Sequence, residues 1–162
     1  MTFRLSTIVL ASLLCAAAPA QTDNVVSIGA GCTSGIIRPF LGITGTPRPG
    51  QTLTFTLSNN YPVGTIVYRN CPLWLGASRT RWGAVILPCN LAPLGSPNCW
   101  LYESLDIEAF NTGTAPVQTC SLRIPNDRGL IGAVFHAQWL VPILGGNPWL
   151  LTTNAYAITI EP

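Results

Sequence analysis

Charge is scarce in this chain, and one kind of charged residue is missing altogether. Charged residues make up 9% of the 162 positions, against about 25% in ordinary soluble domains. Lysine is absent, and the eight basic residues are all arginine. They form no basic run, so the sequence does not predict nucleic acid or an anionic membrane as a partner. The solvent-facing surface must consist largely of Thr, Ser, Asn, Gln, Gly and Pro.

Long hydrophobic runs are missing as well. None reaches the roughly 20 residues that a helix needs to cross a bilayer, so membrane insertion is not predicted. A shorter apolar run over residues 8–18 follows Arg4 and ends in Ala-Pro-Ala at 18–20. This order is typical of a secretory signal peptide. We therefore predict that residues 1–20 are a signal peptide and that the protein is secreted, to the extracellular space, the periplasm or the cell surface.

The residues of common catalytic and metal sites are also few. The one histidine, His136, has no cysteine or acid nearby in sequence at metal-ligand spacing, and no serine lies in a Gly-x-Ser-x-Gly turn. His136 is expected to be a histidine whose hydrogen bonds are satisfied within the sandwich, with a polar patch that it forms with Gln138 on an exposed sheet face as the alternative. Glu103, Asp106 and Glu108 form the one acidic cluster, best explained as solubilising a loop. No catalytic residue, metal or cofactor is predicted.

What the chain has in quantity is glycine and proline, 15 and 14 residues, scattered between short segments rich in Val, Ile, Leu and Thr. This pattern predicts an all-β domain. About eight strands are expected, over residues 38–44, 51–58, 65–77, 83–88, 99–104, 117–124, 133–141 and 151–160. We predict a two-sheet antiparallel Greek-key sandwich of the immunoglobulin or fibronectin type, with a jelly roll as the alternative. Residues 21–36 are expected to be an N-terminal segment before a single domain at 37–162.

Two of these strands show the clearest patterns. Residues 51–58 alternate strictly, with Leu53, Phe55 and Leu57 on one side and threonines on the other. This is the period of a strand with one buried face. Residues 133–141 also alternate, but both sides carry apolar residues. That strand is therefore expected to be central.

The cysteines predict two disulfides and one unpaired thiol. Removing residues 1–20 leaves five of the six cysteines: Cys32, Cys71, Cys89, Cys99 and Cys120. If residues 71–77 and 83–89 form a hairpin centred near Thr80, Cys71 and Cys89 lie opposite one another. Cys32 and Cys99, which both follow Gly- or Pro-containing loops, are a reasonable second pair. Cys120 then remains as an unpaired thiol, and it shares a strand face with apolar residues that predict its burial.

Tryptophan is frequent, with five residues. Trp74 and Trp139 lie within apolar strands and are expected in the core. Trp82, beside Arg79 and Arg81, and Trp149, after Pro148, are in turns. Because an exposed indole offers a large apolar area for binding, these four residues (Arg79, Arg81, Trp82 and Trp149) are the candidate binding residues.

Several short motifs, in the same order, resemble a domain family common in secreted proteins of planctomycete-type bacteria. They are Leu75-Gly-Ala-Ser78 with Trp82-Gly83, Leu87-Pro88, Leu94-Gly-Ser-Pro97 with Cys99, Ile124-Pro-Asn-Asp127 with Leu130, and Ala137-Gln-Trp139. The resemblance covers most of residues 30–160. It implies a β-sandwich and favours the Cys32–Cys99 pair, whereas Cys71, Cys89 and Cys120 depart from the pattern. The family has no established activity, so it implies no catalytic residue.

Three functions follow as hypotheses, in this order. The first is a secreted, non-catalytic β-sandwich with a structural, adhesive or surface-association role, whose partners are cell-surface proteins or copies of itself, joined through exposed strand edges. The second is a carbohydrate-binding module in which the loop tryptophans contact a polysaccharide. The third is a small secreted hydrolase that uses Glu103 or Asp106.

Overall fold

The computed structural model describes residues 24–35, 37–58, 71–109, 112–114, 117–143 and 149–162. The predicted signal peptide and the first part of the predicted strand 65–77 lie outside these residues. In the described part, regular structure consists of strands and two short 3-10 turns, η1 (Ala92–Leu94) and η2 (Arg128–Leu130). The all-β prediction is therefore confirmed.

The described strands vary from two to nine residues in length. They are β1 Val25–Gly29, β2 Phe40–Thr44, β3 Thr52–Ser58, β4 Leu73–Gly76, β5 Arg81–Trp82, β6 Val85–Ile86, β7 Cys89–Asn90, β8 Trp100–Leu101, β9 Ile107–Ala109, β10 Thr112–Thr114, β11 Val117–Arg123, β12 Val134–Pro142, β13 Leu150–Thr152 and β14 Ala155–Thr159. Several of the shortest form local ribbons that sequence periodicity did not resolve.

The strands form two larger antiparallel sheets and two small ribbons. Sheet 1 has the order β1-β14-β12-β4-β9, with β13 also paired to β12, and sheet 2 has the order β10-β11-β3-β2. The ribbons are β5-β6 and β7-β8. One cluster of buried side chains contains residues from both sheets. This arrangement is consistent with a β-sandwich, in which the inner faces of two sheets share a core.

Strand β3 follows the predicted pattern. Leu53, Phe55 and Leu57 are fully buried, and the threonines between them lie on the opposite face. Strand β3 lies between β2 and β11, so its backbone is paired on both sides. The burial of alternate side chains follows because successive residues of a strand point to opposite faces.

Strand β12 is central, as the two-sided apolar pattern predicted. It pairs with β4 on one side and with β13 and β14 on the other. Its inner face carries Ala137, Trp139 and Val141, all fully buried. His136 and Gln138 lie on the outer face of sheet 1, but they are buried too. The expected histidine with a satisfied hydrogen bond is found, and the alternative of an exposed polar patch was wrong, because a long segment covers this face.

The two ends of the domain differ from the predicted strand plan. Residues 25–29, which fall within the predicted N-terminal segment, form β1 at an edge of sheet 1. The predicted last strand, 151–160, is divided into β13 and β14, and Thr153 between them donates its backbone N–H to the Trp139 carbonyl oxygen at 3.1 Å. Asp127 caps η2, since its side chain accepts the Gly129 N–H at the start of that turn.

Candidate binding surface

Residues 77–106, between β4 and β9, form a long segment that covers the outer face of sheet 1; we term it the excursion. It contains both small ribbons and η1. Most of the buried polar side chains of the described residues lie in it or on the strands beneath it, namely Ser96, Glu103, Ser104, His136, Gln138, Thr152 and Thr153. The excursion is therefore attached through a polar layer as well as through buried apolar side chains of its own, Leu87, Leu91, Cys99 and Leu101.

Gln138 is the central attachment in this layer. Its side-chain oxygen accepts the Tyr102 backbone N–H at 3.1 Å, and its side-chain NH₂ donates to the carbonyl oxygens of Trp100 at 3.0 Å and Thr153 at 2.8 Å. One buried amide thus joins the excursion to β12 and to the turn before β14. A buried amide with its hydrogen bonds satisfied holds its neighbours in one arrangement, because each lost bond leaves a desolvated polar group.

The predicted Cys32–Cys99 disulfide is the second attachment. Cys99 belongs to the excursion, and Cys32 lies beside β13, where its N–H donates to the Thr152 carbonyl oxygen at 2.9 Å. The two cysteines are 67 positions apart in sequence. A cross-link over a loop of that length stabilises a fold by about 4 kcal/mol, because it restricts the unfolded chain.

The two ends of the excursion are joined at a neck. Ser104 donates its backbone N–H to the Ser78 carbonyl oxygen at 2.8 Å, and its hydroxyl accepts the Ser78 N–H at 3.0 Å. The same hydroxyl donates to Asp106 Oδ2 at 2.6 Å, which also accepts the Ala77 N–H at 2.7 Å. The Ala77 N–H bond, with the Ser104 hydroxyl, holds the pKa of Asp106 below its usual range.

Glu103 lies inside the polar layer with no exposed surface. Neither carboxyl oxygen makes a hydrogen bond of good geometry within the described residues. Burial raises the pKa of Glu103 to about 9; the Gln138 N–H nearby lowers it somewhat, and the Asp106 charge raises it further. The side chain is therefore a neutral carboxylic acid at pH 7.

His136 lies on the same outer face and its Nδ1 is 3.1 Å from the Gly76 carbonyl oxygen. Burial lowers the pKa of His136; the Gly76 contact opposes that effect, and the Arg79 charge adds to it. The imidazole is therefore neutral at pH 7. With Glu103 also neutral, the polar layer carries no charge at that pH from either group.

The first candidate surface is the β5-β6 hairpin, which carries three of the four predicted binding residues on it or just before it. Arg79, Arg81 and Trp82 are all exposed, and the Trp82 side chain is 39% exposed. Arg81 lies opposite Ile86, which is 70% exposed. Ile86 was not predicted as a surface residue. Pairing it with Arg81 across a hairpin that turns at Gly83-Ala84 would have indicated its exposure.

The hairpin is short but well defined. Ser78 Oγ accepts the N–H groups of Thr80 and Arg81, each at 3.2 Å, and the Leu87 N–H donates to the Thr80 carbonyl oxygen at 3.0 Å. Gly83 opens the two-residue turn with a φ of 55°. Glycine at the first turn position suits the hairpin turns whose twist matches that of the strands.

The second candidate surface is Trp149, which lies on a separate element from Trp82. It precedes β13, is 48% exposed, and donates its Nε1–H to the Leu94 carbonyl oxygen of η1. Its ring also lies next to Gly95. Leu94, itself exposed, was not predicted. The excursion therefore carries one exposed tryptophan and holds the other in place.

The two tryptophans predicted in the core differ in their burial. Trp139 is fully buried, as predicted. Trp74 is only half-buried, because it lies opposite Gln138 and Glu108 on the outer face of sheet 1, while Leu73 and Leu75 point into the core. The apolar run around Trp74 did not reveal which residues faced inward, because both faces of β4 carry apolar side chains.

The predicted Cys71–Cys89 disulfide is not formed. The hairpin turns at Gly83-Ala84 instead of near Thr80, and Cys89 lies opposite Leu101 in the β7-β8 ribbon. Cys71 is buried near the start of β4, where its N–H donates to Gln118 Oε1 at 3.0 Å. Burial raises the pKa of Cys71 to about 11, even though the Gln118 side chain lowers it.

Cys120 is outside any disulfide and is buried, in agreement with the sequence analysis. It lies on the inner face of β11, opposite Phe55 of β3. Burial raises the pKa of the Cys120 thiol. A buried, protonated thiol is a poor nucleophile, so Cys120 acts as a small apolar side chain in the core.

An apolar cavity of about 380 Å³ lies at one end of the two sheets. Its lining includes Leu75, Leu122, Phe135 and Ile160, with Asp106 among the few polar residues. Neither Glu103 nor His136 lines it. The groups that a hydrolytic site would need are therefore not gathered around this cavity.

Comparison with known proteins gives no further identification. In the described part of the chain, no helix has the length and apolar character to span a bilayer. No protein-family model, no curated protein and no solved structure matches the chain.

Proposed function

We propose that this protein is an exported, non-catalytic β-sandwich module that associates with a cell surface or extracellular matrix through the excursion. The observation that carries the proposal is the contrast between the excursion's inner and outer sides. Its inner side is fixed to sheet 1 by the Gln138 bonds and the Cys32–Cys99 disulfide. Its outer side exposes large apolar residues at Trp82, Ile86 and Leu94.

Exposed apolar side chains on a firmly attached segment favour binding over a purely structural role. A partner that buries Trp82 or Ile86 gains apolar area without having to order the loop first, which lowers the entropic cost of association. Arg81, opposite Ile86, adds a charged donor beside this apolar surface. Such a combination of aromatic, aliphatic and arginine side chains is common at the centres of binding surfaces.

The architecture proposed for the scaffold is the immunoglobulin or fibronectin type of Greek key. The order β9-β4-β12-β14 in one sheet and β10-β11-β3-β2 in the other supports it, because the successive pairs β2-β3, β4-β9, β10-β11 and β12-β14 lie in alternate sheets, as in that plan. A jelly roll is the alternative. Export is supported by the signal-like sequence before residue 21 and by the disulfide, which persists in oxidising compartments.

The second candidate function is carbohydrate binding. It is favoured by the partial exposure of both Trp82 and Trp149, because an indole face can stack on a sugar ring. A hydrolase has the least support. Glu103, one of its two proposed acids, has no exposed surface, and a substrate bond must come within about 3 Å of a general acid. Asp106, the other, lines the apolar cavity without Glu103 or His136 beside it.

The test is binding of the mature protein, residues 21–162, to intact cells and to a panel of immobilised polysaccharides. We expect Trp82→Ala to weaken binding at least tenfold, since truncating a central aromatic residue costs about 2 kcal/mol or more. Phe40→Ala is the matched control, because Phe40 is an exposed aromatic residue on β2, outside the excursion. Its binding should equal that of the native chain.

The same panel distinguishes the two candidate functions. Loss of cell binding with no polysaccharide bound supports surface association through a protein partner. Loss of polysaccharide binding in both Trp82→Ala and Trp149→Ala supports the carbohydrate module. Binding that Phe40→Ala reduces and Trp82→Ala leaves unchanged would contradict the assignment to the excursion.

A further inference from the structure

The excursion differs from the rest of the chain in its charge. Between Ala77 and Tyr102 the sequence contains two arginines, Arg79 and Arg81, and no aspartate or glutamate. The chain has eight basic and six acidic residues in all, but the charged residues between positions 77 and 102 are all positive. Its surface is therefore positive wherever these two side chains reach solvent.

Two acidic residues, Glu103 and Asp106, end the excursion, and they offset the positive charge of the two arginines only in part. Glu103 is buried and neutral at pH 7 because of its raised pKa. Asp106 stays ionised, with Oδ2 accepting the Ser104 hydroxyl and the Ala77 N–H at the neck, so one negative charge is set against the two arginines. In the described residues, an ion pair is found between Arg48 and Glu161, away from the excursion. Both excursion arginines thus remain available to a ligand.

The two arginines lie at different levels of the hairpin. Arg79 lies at its base, where it lines a small cavity of about 170 Å³ with Ile28, Pro88 and Tyr102. Arg81 lies within the hairpin itself, next in sequence to the exposed Trp82. Because successive residues of a strand point to opposite faces, the hairpin presents the Arg81 guanidinium group with Ile86 on one face and the Trp82 ring on the other, with a second guanidinium group at the edge of a pocket.

We propose that the ligand of the excursion is an acidic polysaccharide, one whose sugar rings carry carboxylate or sulfate groups. This inference rests on the proposed function and names the partner of the same site. Arginine matches the planar carboxylate and the sulfate group with paired N–H donors. Tryptophan supplies the flat apolar surface on which a sugar ring packs. A polymer that alternates rings and anionic groups can contact both side chains by passing around the narrow two-stranded hairpin, whose two faces carry them.

Other polyanions fit the same surface less well. Duplex DNA carries one charge per roughly 1.7 Å and is bound through many phosphate contacts at once. The excursion offers two arginines and the chain has no lysine. An anionic membrane likewise attracts clusters of about four to eight basic residues. Both are included in the test as outcomes that overturn the inference.

The decisive experiment compares polymers that share a backbone and differ in charge. We would measure binding of the mature protein to polygalacturonate and to the same polymer after complete methyl esterification, with dextran sulfate against dextran as the sulfate arm. We expect binding to the charged member of at least one pair to be tenfold tighter or more, as charge-assisted hydrogen bonds of about 1.5–3 kcal/mol require.

Variants locate the effect on the hairpin. Arg81→Gln should lower affinity for the charged polymer about tenfold, because it removes the charge and keeps most of the side-chain length. Arg128→Gln is the matched control, since Arg128 is an exposed arginine in η2, outside the excursion. The control should bind like the native chain. Near-ultraviolet circular dichroism checks that both variants keep the native fold.

Each remaining outcome overturns the inference in a distinct way. Equal binding to charged and esterified polymer, lost in Trp82→Ala, would remove the acidic requirement and leave a neutral carbohydrate module. Equal reduction by Arg81→Gln and Arg128→Gln, or equally tight binding to duplex DNA or to phosphatidylglycerol vesicles, would indicate a general polyanion effect. Cell binding through Trp82 without any polysaccharide would leave the proposed surface association intact, and absence of all binding would contradict both proposals.

Discussion

Glu103 carries a carboxyl group in a place that water does not reach. It lies between the excursion and β12, beside the Gln138 backbone, and its two oxygens make no hydrogen bond of good geometry in the described part of the molecule. Burying a charge in such a position costs far more than burying a neutral acid. The excursion therefore lies on sheet 1 most favourably while Glu103 keeps its proton.

The titration of Glu103 predicts a stability that declines in alkaline solution. Its pKa is about 9 in the fold, against 4.5 for a glutamate exposed to water. Below about pH 4.5 both states are protonated, and above that pH the unfolded chain ionises while the fold does not. We expect the free energy of unfolding to fall by up to about 1.4 kcal/mol per pH unit until about pH 9.

Replacing this carboxyl tests the argument. Glu103→Gln keeps the shape and removes the ionisation, so its free energy of unfolding should stay nearly constant between about pH 7 and 9 while that of the native chain declines. Urea unfolding at several pH values measures both curves. Parallel curves would contradict the assignment. The lowered pKa of His136 makes the fold less stable in acid, because below about pH 6.5 the unfolded chain takes up a proton that the folded chain does not.

At the scale of elements, the neck of the excursion depends on one strand glycine. Gly76 ends β4, and a Cβ built on it would lie 2.2 Å from the Ser104 carbonyl oxygen. This is closer than any real Cβ contact, and the obstacle is backbone that cannot turn aside. The neck and β4 can therefore pack together because position 76 has no side chain.

Two glycine-to-alanine variants compare this neck with an ordinary strand position. Gly76→Ala should lower the free energy of unfolding by about 1–3 kcal/mol, the usual cost of overpacking. Gly42→Ala in β2 is the control, since its new Cβ would meet no atom closer than 3.9 Å. The control should be neutral or slightly stabilising. Thermal unfolding of both variants gives the comparison, and equal losses would contradict the neck as the cause.

At the scale of the whole molecule, the two sheets share one core. The buried cluster contains Phe55 of β3 in sheet 2 and Leu73 of β4 in sheet 1, both fully buried. A single core of this kind does not permit one sheet to unfold while the other remains intact, since each buries its apolar face on the other. The excursion lies on sheet 1, and it too contributes buried apolar side chains, among them Leu91 and Leu101, to this cluster.

Truncations on opposite sheets should therefore affect one common transition. We expect Phe55→Ala and Leu73→Ala each to lower the free energy of unfolding by about 2–5 kcal/mol. Far- and near-ultraviolet circular dichroism should give the same midpoint in each variant. Phe40→Ala, at an exposed site, should stay within about 0.5 kcal/mol of the native chain. Midpoints that separate between the two probes would contradict a shared core.

The sequence by itself determined the parts of the fold that depend on neighbours in the chain. Alternation over 51–58 correctly placed Leu53, Phe55 and Leu57 in the core, because a strand turns successive side chains to opposite faces. The two-sided pattern over 133–141 correctly made β12 central. The position of Trp82 in a turn, outside the apolar strands, likewise indicated an exposed segment there. Trp82 and its neighbour Arg81 are both exposed in the fold.

Only the tertiary structure decided which sheet face is covered and which cysteines pair. The acids at 103 and 106 looked alike in sequence, yet one is buried and neutral and the other is held at the neck. Gln138 anchors the excursion from a sheet face whose burial the sequence left open. The Cys71–Cys89 prediction was wrong for the same reason. Burial of an outer sheet face and pairing of distant cysteines depend on contacts between residues far apart in the chain, which local periodicity does not encode.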